Sequence, residues 1–315
     1  MRPHFLKLQA QPQNSFSIRR DVLPYFKGVW HYHPELELHY VIKGEGIRLV
    51  GDKISNFSAG DLVLLGENLP HCWRCNEEYF SAYSKMNVEV VVLQFLPDCL
   101  GRYLLNLPEA YLLPKLFEKA KAGLSFTGNT RARVAEMMQQ LVDLSGMDRL
   151  VTMVSILKEL SESAECSEIT LTKRKFYTSN EIDTNRFNNI CNYTLTNFRR
   201  EISLEEIAEV GNLSVTSFCR YFKLMTNQKY SDFLTQIRIS HACRLLIDDK
   251  LSTDTICFES GFYNISNFYR HFKKVTELTP LVYKNKYMQG KPTGYDAFPA
   301  IRAAPPPAPL ITQTR

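Results

Sequence analysis

The chain has 315 residues, 44% hydrophobic and 23% charged, with a formal net charge of +5. That length holds two ordinary hydrophobic cores, and the composition excludes a fibrous or wholly disordered chain. No apolar run of signal-peptide length follows Met1, and none reaches the roughly 20 residues of a membrane helix. No membrane partner is therefore expected, and the eight cysteines read as reduced thiols in a cytoplasm.

From Trp30 to about Phe95 short strands alternate with turns. Leu36–Ile42 alternates, Ile47–Val50 runs into the hairpin signal Gly51-Asp-Lys53, and Asp61–Leu65 lies between Gly60 and Gly66. Val88–Phe95 is a further apolar run. This spacing predicts a β-barrel or sandwich over residues 1–97. Cys72-Trp-Arg-Cys75 could be half a zinc site, but no second ligand pair follows it, so idle thiols are the expectation.

Glu109–Ala122, Arg131–Leu144 and Arg149–Leu160 carry apolar residues at helical spacing, with Gly123, Gly128 and Gly146 as breaks. Residues 98–162 are thus expected to be a helical layer on the barrel and a candidate dimer surface. The polar stretch around Lys173-Arg-Lys175 predicts an interdomain linker at 163–184. Helical periodicity then predicts an all-α domain at 185–288, and the run Ala303-Ala-Pro-Pro-Pro-Ala-Pro309 a disordered tail at 289–315.

The helical region contains one pattern twice. Gly211 to Thr226 lines up with Gly261 to Thr276, with glycine, two phenylalanines, arginine, lysine and threonine at the same offsets. Chance supplies about one such match, so the repeat reads as a duplicated unit. In the first copy Ser203-Leu-Glu-Glu206 matches a capping box, and Leu204, Ile207 and Ala208 are expected to point inward. Gly211 and Asn212 suit a tight turn, Ser214 caps the next helix, and Phe218 and Phe222 form its buried side. Thr216, Ser217, Cys219, Arg220 and Lys223 remain outside. In the second copy Ile256 and Cys257 take the inward places, Gly261 the turn, Asn264 the cap and Phe268 and Phe272 the buried side. Ser266, Asn267, Tyr269, Arg270 and Lys273 remain outside.

Turn, polar cap and amphipathic helix with a basic outer face is how a helix-turn-helix enters DNA. Val210 to Gly290 holds eleven Lys or Arg against six Asp or Glu, a surplus suited to phosphates. Any one of the four repeated cations is as readily a solvated side chain; the duplicated set points to DNA. Asp232–Ile247 reads as a long helix that would hold the two recognition helices roughly 34 Å apart. The copies differ at Thr216/Ser266, Ser217/Asn267 and Cys219/Tyr269, so each subunit's site should be asymmetric.

The region Ile202–Tyr287 resembles the DNA-binding domain of the AraC/XylS family of bacterial transcription regulators. The match runs from Ile256 through Gly261 and the Thr279-Pro-Leu-Val-Tyr283 end, with Arg238 and Ala242 on the connecting helix. Cys257, Asn227, Leu278 and Lys284 depart from the family pattern, and Leu278 in a place often held by glycine predicts a differently shaped loop. His31-Tyr-His33-Pro-Glu-Leu-Glu37, Gly44, Gly60-Asp61 and Pro70-His71 resemble the two cupin motifs, although Gly66-Glu-Asn-Leu-Pro-His71 departs from the second. By alternation His33, Glu35, Glu37 and His39 should share a face unless Pro34 makes a bulge.

The resemblances imply an α+β multidomain protein: an N-terminal cupin-like β-barrel with a helical layer, and a C-terminal all-α domain with two helix-turn-helix units. They imply a non-enzymatic, sequence-specific regulator, more often an activator, for carbohydrate or related metabolism. Its partners would be double-stranded promoter DNA, RNA polymerase, a small-molecule effector and a second copy of the chain. DNA contact falls to Thr216, Ser217, Arg220, Lys223, Ser266, Asn267, Tyr269, Arg270 and Lys273. His31, His33, Glu37 and His71 are expected to line an effector pocket. No cofactor is expected; purely structural use of the four residues and a metal held by them are the lesser expectations, the latter because imidazole and carboxylate suit Fe, Mn, Ni or Zn. The alternative reading is a metal-dependent cupin enzyme with an accessory DNA-binding domain.

Overall fold

The structure is a computed structural model that describes residues 4–5, 15–170, 181–226 and 228–289. Its N-terminal part is built on two sheets. The first has the order β1 (His4–Phe5), β3 (His31–Tyr32), β8 (His71–Cys75), β5 (Gly46–Val50) and β6 (Lys53–Phe57). The second runs β11 (Cys166–Glu168), β10 (Leu124–Phe126), β7 (Leu62–Leu65), β4 (Leu36–Lys43), β9 (Val88–Phe95) and β2 (Phe16–Leu23). The expected hairpin closes with Val50 opposite Lys53 across Gly51 and Asp52.

The second sheet is covered on both faces, which is why β7 and β9 are nearly continuous apolar runs. Leu36, Leu38, Leu62, Leu64, Val91, Leu93 and Phe95 pack outward on helices. The alternate residues Val41, Val63, Leu65, Val90 and Val92 fill the barrel with Phe57, Leu69 and Trp73. The covering helices are α1 (Arg102–Leu105), α2 (Leu112–Ala120), α3 (Gly128–Leu141) and α4 (Gly146–Glu162). Gly128 and Gly146, expected as breaks, are the first residues of α3 and α4.

The predicted linker at 163–184 starts too early. Residues 166–168 are strand β11, paired antiparallel with β10, and Thr170 is fully buried with its amide donating to the Ala122 carbonyl at 2.9 Å. The edge of β10 would otherwise expose unpaired backbone groups, so the outgoing chain covers it. Lys173-Arg-Lys175, Asn227 and the expected tail from residue 290 lie outside the described residues.

The C-terminal part comprises α5 (Glu181–Asn197), α6 (Leu204–Val210), α7 (Val215–Thr226), α8 (Tyr230–Asp248), α9 (Thr253–Glu259), α10 (Ile265–Thr276) and α11 (Pro280–Gln289). The expected connecting helix is α8, and it serves two cores. Tyr230, Phe233, Leu234 and Ile237 pack with α5, α6 and α7, whereas Ile239, Ala242, Cys243 and Leu246 pack with α9 and α10. Leu204, expected inward, is 41% exposed at the first position of α6. The loop after α10 takes its left-handed residue at Glu277, φ 61°, rather than at Leu278, which packs half-buried on the second core.

Candidate nucleic-acid interface and metal centre

Both reading units are capped as expected. The amides of Glu206, Ser217, Thr255 and Asn267 donate to the side chains of Ser203, Ser214, Ser252 and Asn264 at 3.0, 3.4, 3.1 and 3.0 Å, each satisfying an otherwise unpaired helix-start donor. Phe218, Phe222, Phe268 and Phe272 are fully buried. The repeated threonines close their helices from within: Thr226 and Thr276 donate to the carbonyls of Phe222 and Phe272, both at 2.8 Å.

The turns, however, are not in the register of the glycines. The left-handed residue is Asn212, φ 49°, in the first unit but Gly261, φ 78°, in the second; Gly211 itself is right-handed, φ −81°. Leu213 donates to the Ala208 carbonyl, and Phe262 to that of Cys257, so Asn212 matches Gly261 and the first helices repeat one residue closer than the second. Tyr263 is the extra residue, 67% exposed. A Cβ on Gly261 would lie 2.4 Å from the Phe198 carbonyl oxygen, so this turn needs glycine for space as well as for its backbone. Arg238 reaches the same place, donating to the carbonyls of Phe198 and Arg200 at 2.8 Å each.

Of the nine residues expected to face DNA, eight are exposed: Thr216, Arg220, Lys223, Ser266, Asn267, Tyr269, Arg270 and Lys273. Ser217 is half-buried and its hydroxyl accepts from that of Ser214 at 3.0 Å. Arg270 donates to Asn267 Oδ1 at 2.7 Å, which pre-orients two groups able to read guanine and adenine edges.

In the barrel the four expected residues converge. Donor atoms of His31, His33, Glu37 and His71 all lie within 4.8 Å of one another. His31 and His71 are cross-strand partners on β3 and β8, His33 follows β3, and Glu37 projects from β4. Each imidazole contacts a backbone carbonyl through Nδ1: His31 to Val29 at 2.9 Å, His33 to Glu35 at 3.0 Å and His71 to Leu69 at 2.7 Å. Those contacts require Nδ1–H; at His31 and His71 they leave Nε2 as the lone-pair nitrogen, whereas the hydrogen bond from His33 to the Glu37 carboxylate needs a proton on Nε2 as well. His33 Nε2 meets Glu37 Oε2 at 3.1 Å. His71 Nε2 is buried without a hydrogen-bond partner among the described residues, 3.9 Å from the same oxygen.

Burial opposes charge on Glu37, yet the His33 hydrogen bond and the His71, His33 and His39 imidazoles hold its carboxyl well below the usual range. Burial also opposes charge on His33, but the Glu37 hydrogen bond and the carboxylates of Glu37 and Glu35 raise it overall. Burial, then His31, pushes His71 well down. His39 shares the inward face, as expected, stacked on Trp73 with ring centroids 4.2 Å apart, and burial lowers it to about 4. Glu35 lies off β4, its Oε2 3.5 Å from His33 Nδ1. A buried imidazole nitrogen, rings held by outer hydrogen bonds and one ionised carboxylate are able to hold a divalent transition-metal ion once His33 gives up its Nε2 proton.

Sequence reasoning missed Gln94. Its Nε2 donates to Glu37 Oε2 at 2.6 Å, while its Oε1 accepts from Arg19 at 2.5 Å. A lone amide at an inward position of the apolar run Val88–Phe95 was the available signal. The Cys72–Cys75 pair makes no site: Cys72 packs with Phe187 and its neighbours, Cys75 packs inside the barrel, and burial pushes their thiols up to about 12 and about 11.

A family model described as a helix-turn-helix domain matches residues 207–286, and one described as a cupin domain matches residues 21–82. An uncharacterized HTH-type transcriptional regulator, YdeC of Bacillus subtilis, is 23% identical over 265 residues, 81% of this chain and 85% of its own. The HTH-type transcriptional activator RhaR of Escherichia coli O139:H28 is 25% identical over 259 residues, 79% of this chain and 84% of its own. The solved structure of ToxT from Vibrio cholerae aligns at 14% identity over 86% of this chain and 97% of its own, with a TM-score of 0.33. With the paired units and the barrel in place, the chain is a DNA-binding transcription regulator that carries a cupin domain ahead of its two helix-turn-helix units, similar to regulators of the AraC/XylS type.

Proposed function

We propose that the barrel is the input of this regulator, and that His31, His33, Glu37 and His71 bind a divalent transition-metal ion there. The observation that carries the reading is the buried His71 Nε2, which has no hydrogen-bond partner among the described residues and lies 3.9 Å from the Glu37 carboxylate. Burying an unpaired imidazole nitrogen is costly, and a metal ion removes that cost. The ion would neutralise Glu37 and cross-link β3, β4 and β8. An organic effector held through the ion is the second reading, because half-exposed His31 opens the otherwise buried cluster to solvent.

On the output side, Thr216, Ser217, Arg220, Lys223, Ser266, Asn267, Tyr269, Arg270 and Lys273 contact promoter DNA. The relatives named activators support activation, with RNA polymerase as partner, in the cytoplasm, and no substrate turnover by the barrel. Among the described residues no helix is long and apolar enough to cross a membrane. Met147, Val151 and Val154 lie 69, 58 and 37% exposed at four- and three-residue spacing on α4, an apolar stripe that supports a homodimer through this helix.

The test is binding of the full chain to duplex DNA from its own upstream region, beside scrambled duplex, with EDTA or with added Ni²⁺, Zn²⁺, Mn²⁺ or Fe²⁺. The reading expects preference for the upstream duplex and a change in affinity with one of the metals. Equal affinity for both duplexes refutes the output, and no metal uptake at equilibrium refutes the input.

A further inference from the structure

We propose that the metal centre and the DNA-binding domain are coupled directly through β8, whose successive side chains alternate between the two, and through the segment that enters β3; the inference rests on the sensing role given to the centre above. Beside His31, Trp30 is 2% exposed, its ring 5.7 Å from Phe187 of α5 and its amide donating to Asn188 Oδ1 at 2.9 Å. On β8 His71 and Trp73 face the barrel interior, whereas Cys72 and Arg74 face α5. Cys72 packs in one apolar cluster with Phe187, Ile190 and Cys191. Arg74 donates to Asn192 Oδ1 and Thr196 Oγ1, each at 3.3 Å.

The same sheet also holds α8. Leu49 and Ile54 join the cluster of the first reading unit, and the Asn56 amide donates to the Ser240 carbonyl at 3.0 Å. Just after β8, Glu77 and Glu78 pair with Arg199 at 3.5 Å and Arg244 at 3.3 Å. Since α8 contributes to both reading cores, the sheet that carries two of the four donors is seated on the helix that joins the two DNA-reading units.

With bonds of about 2.1 Å, an ion allows no two donors to lie farther apart than about 4.2 Å. Binding therefore fixes the relative placement of β3, β4 and β8. Side chains of a strand alternate across a stiff pleated backbone, so a displacement that carries His31 or His71 also carries Trp30, Cys72 or Arg74. Two occupants that share these strands change each other's affinity by one common factor.

The experiment titrates Ni²⁺ alone into the full chain by calorimetry, for the wild type and for Asn188→Ala and Asn192→Ala, both on α5 outside the barrel. Each variant is expected to shift the Ni²⁺ Kd by about fivefold or more in the same direction. Hydrogen exchange of the α5 amides from Phe187 to Thr196 should change when Ni²⁺ is added to the wild type. Wild-type binding with a Kd unchanged within about twofold in both variants overturns the coupling and leaves the site standing. Failure of the wild type to bind Ni²⁺, Zn²⁺, Mn²⁺ or Fe²⁺ overturns both.

Discussion

Replacing Gln94 by leucine tests the part of the proposed metal centre that would not itself touch the ion. Gln94 is 3% exposed, and its amide orientation follows from its neighbours: the Arg19 guanidinium claims Oε1, so Nε2 points to Glu37. Leucine keeps most of the volume and leaves Glu37 without the 2.6 Å hydrogen bond that aims its carboxylate. Arg19 retains Asp21 at 2.8 Å and is 40% exposed, so its loss of a partner costs the fold little. Outer-shell removals of this kind weaken metal binding about 10–100-fold, or about 1.4–2.7 kcal/mol. Competition against a chromophoric chelator measures that directly at neutral pH. A Kd within about threefold of wild type, with unchanged circular dichroism, would show that Gln94 does not position Glu37 and would refute the reasoning.

Arg220→Ala and Arg270→Ala should each lose discrimination at one half-site by about 1–3 kcal/mol, whereas Lys273→Ala should weaken all sequences alike and flatten the salt dependence; gel-shift titrations against single-base variants separate the two patterns. Asp61→Ala should destabilise the barrel by about 3–5 kcal/mol in thermal or urea unfolding, because it strands Arg48 in a pair 2.7 Å apart with side chains 9 and 11% exposed. A loss below about 1 kcal/mol would mean the pair is effectively solvated. Burial, then Arg244 and Arg199, lowers His241 to about 3. Its unfolded value is about 6.5, so its contribution is complete above that pH and is lost as pH falls toward 3. His241→Gln should therefore lose less melting temperature than wild type between pH 7 and pH 5; identical losses would contradict the assignment.

What could be read from the sequence followed what burial does to composition. β7 and β9 were legible because both faces are covered, so apart from Glu89 and Gln94 their residues are apolar. β2 was not, because Arg19, Arg20 and Asp21 place charges on both faces of an edge strand, and Cys166-Ser-Glu168 carries no strand signal at all. The four residues of the centre were legible as a motif, but their convergence depends on β3 pairing with β8 and β8 lying across from β4. Gln94 is set by register alone, opposite Glu37. The docking of Asn188 and Asn192 on Trp30 and Arg74 joins residues more than a hundred positions apart, and polar pairs of that kind leave no periodic trace.

The extra residue at Tyr263 limits how the two readers can be exchanged. A graft cut on the fifty-residue glycine alignment would put Asn212 where Phe262 stands and ask a buried phenylalanine position to accept an amide. It would also leave the left-handed turn one residue out of step, rotating the incoming helix by about 100° about its axis. The interchangeable cassette therefore runs from the cap onward, Ser214–Thr226 for Asn264–Thr276, with each turn left to its own unit. Specificity engineering in this chain has its natural cut site at the helix cap.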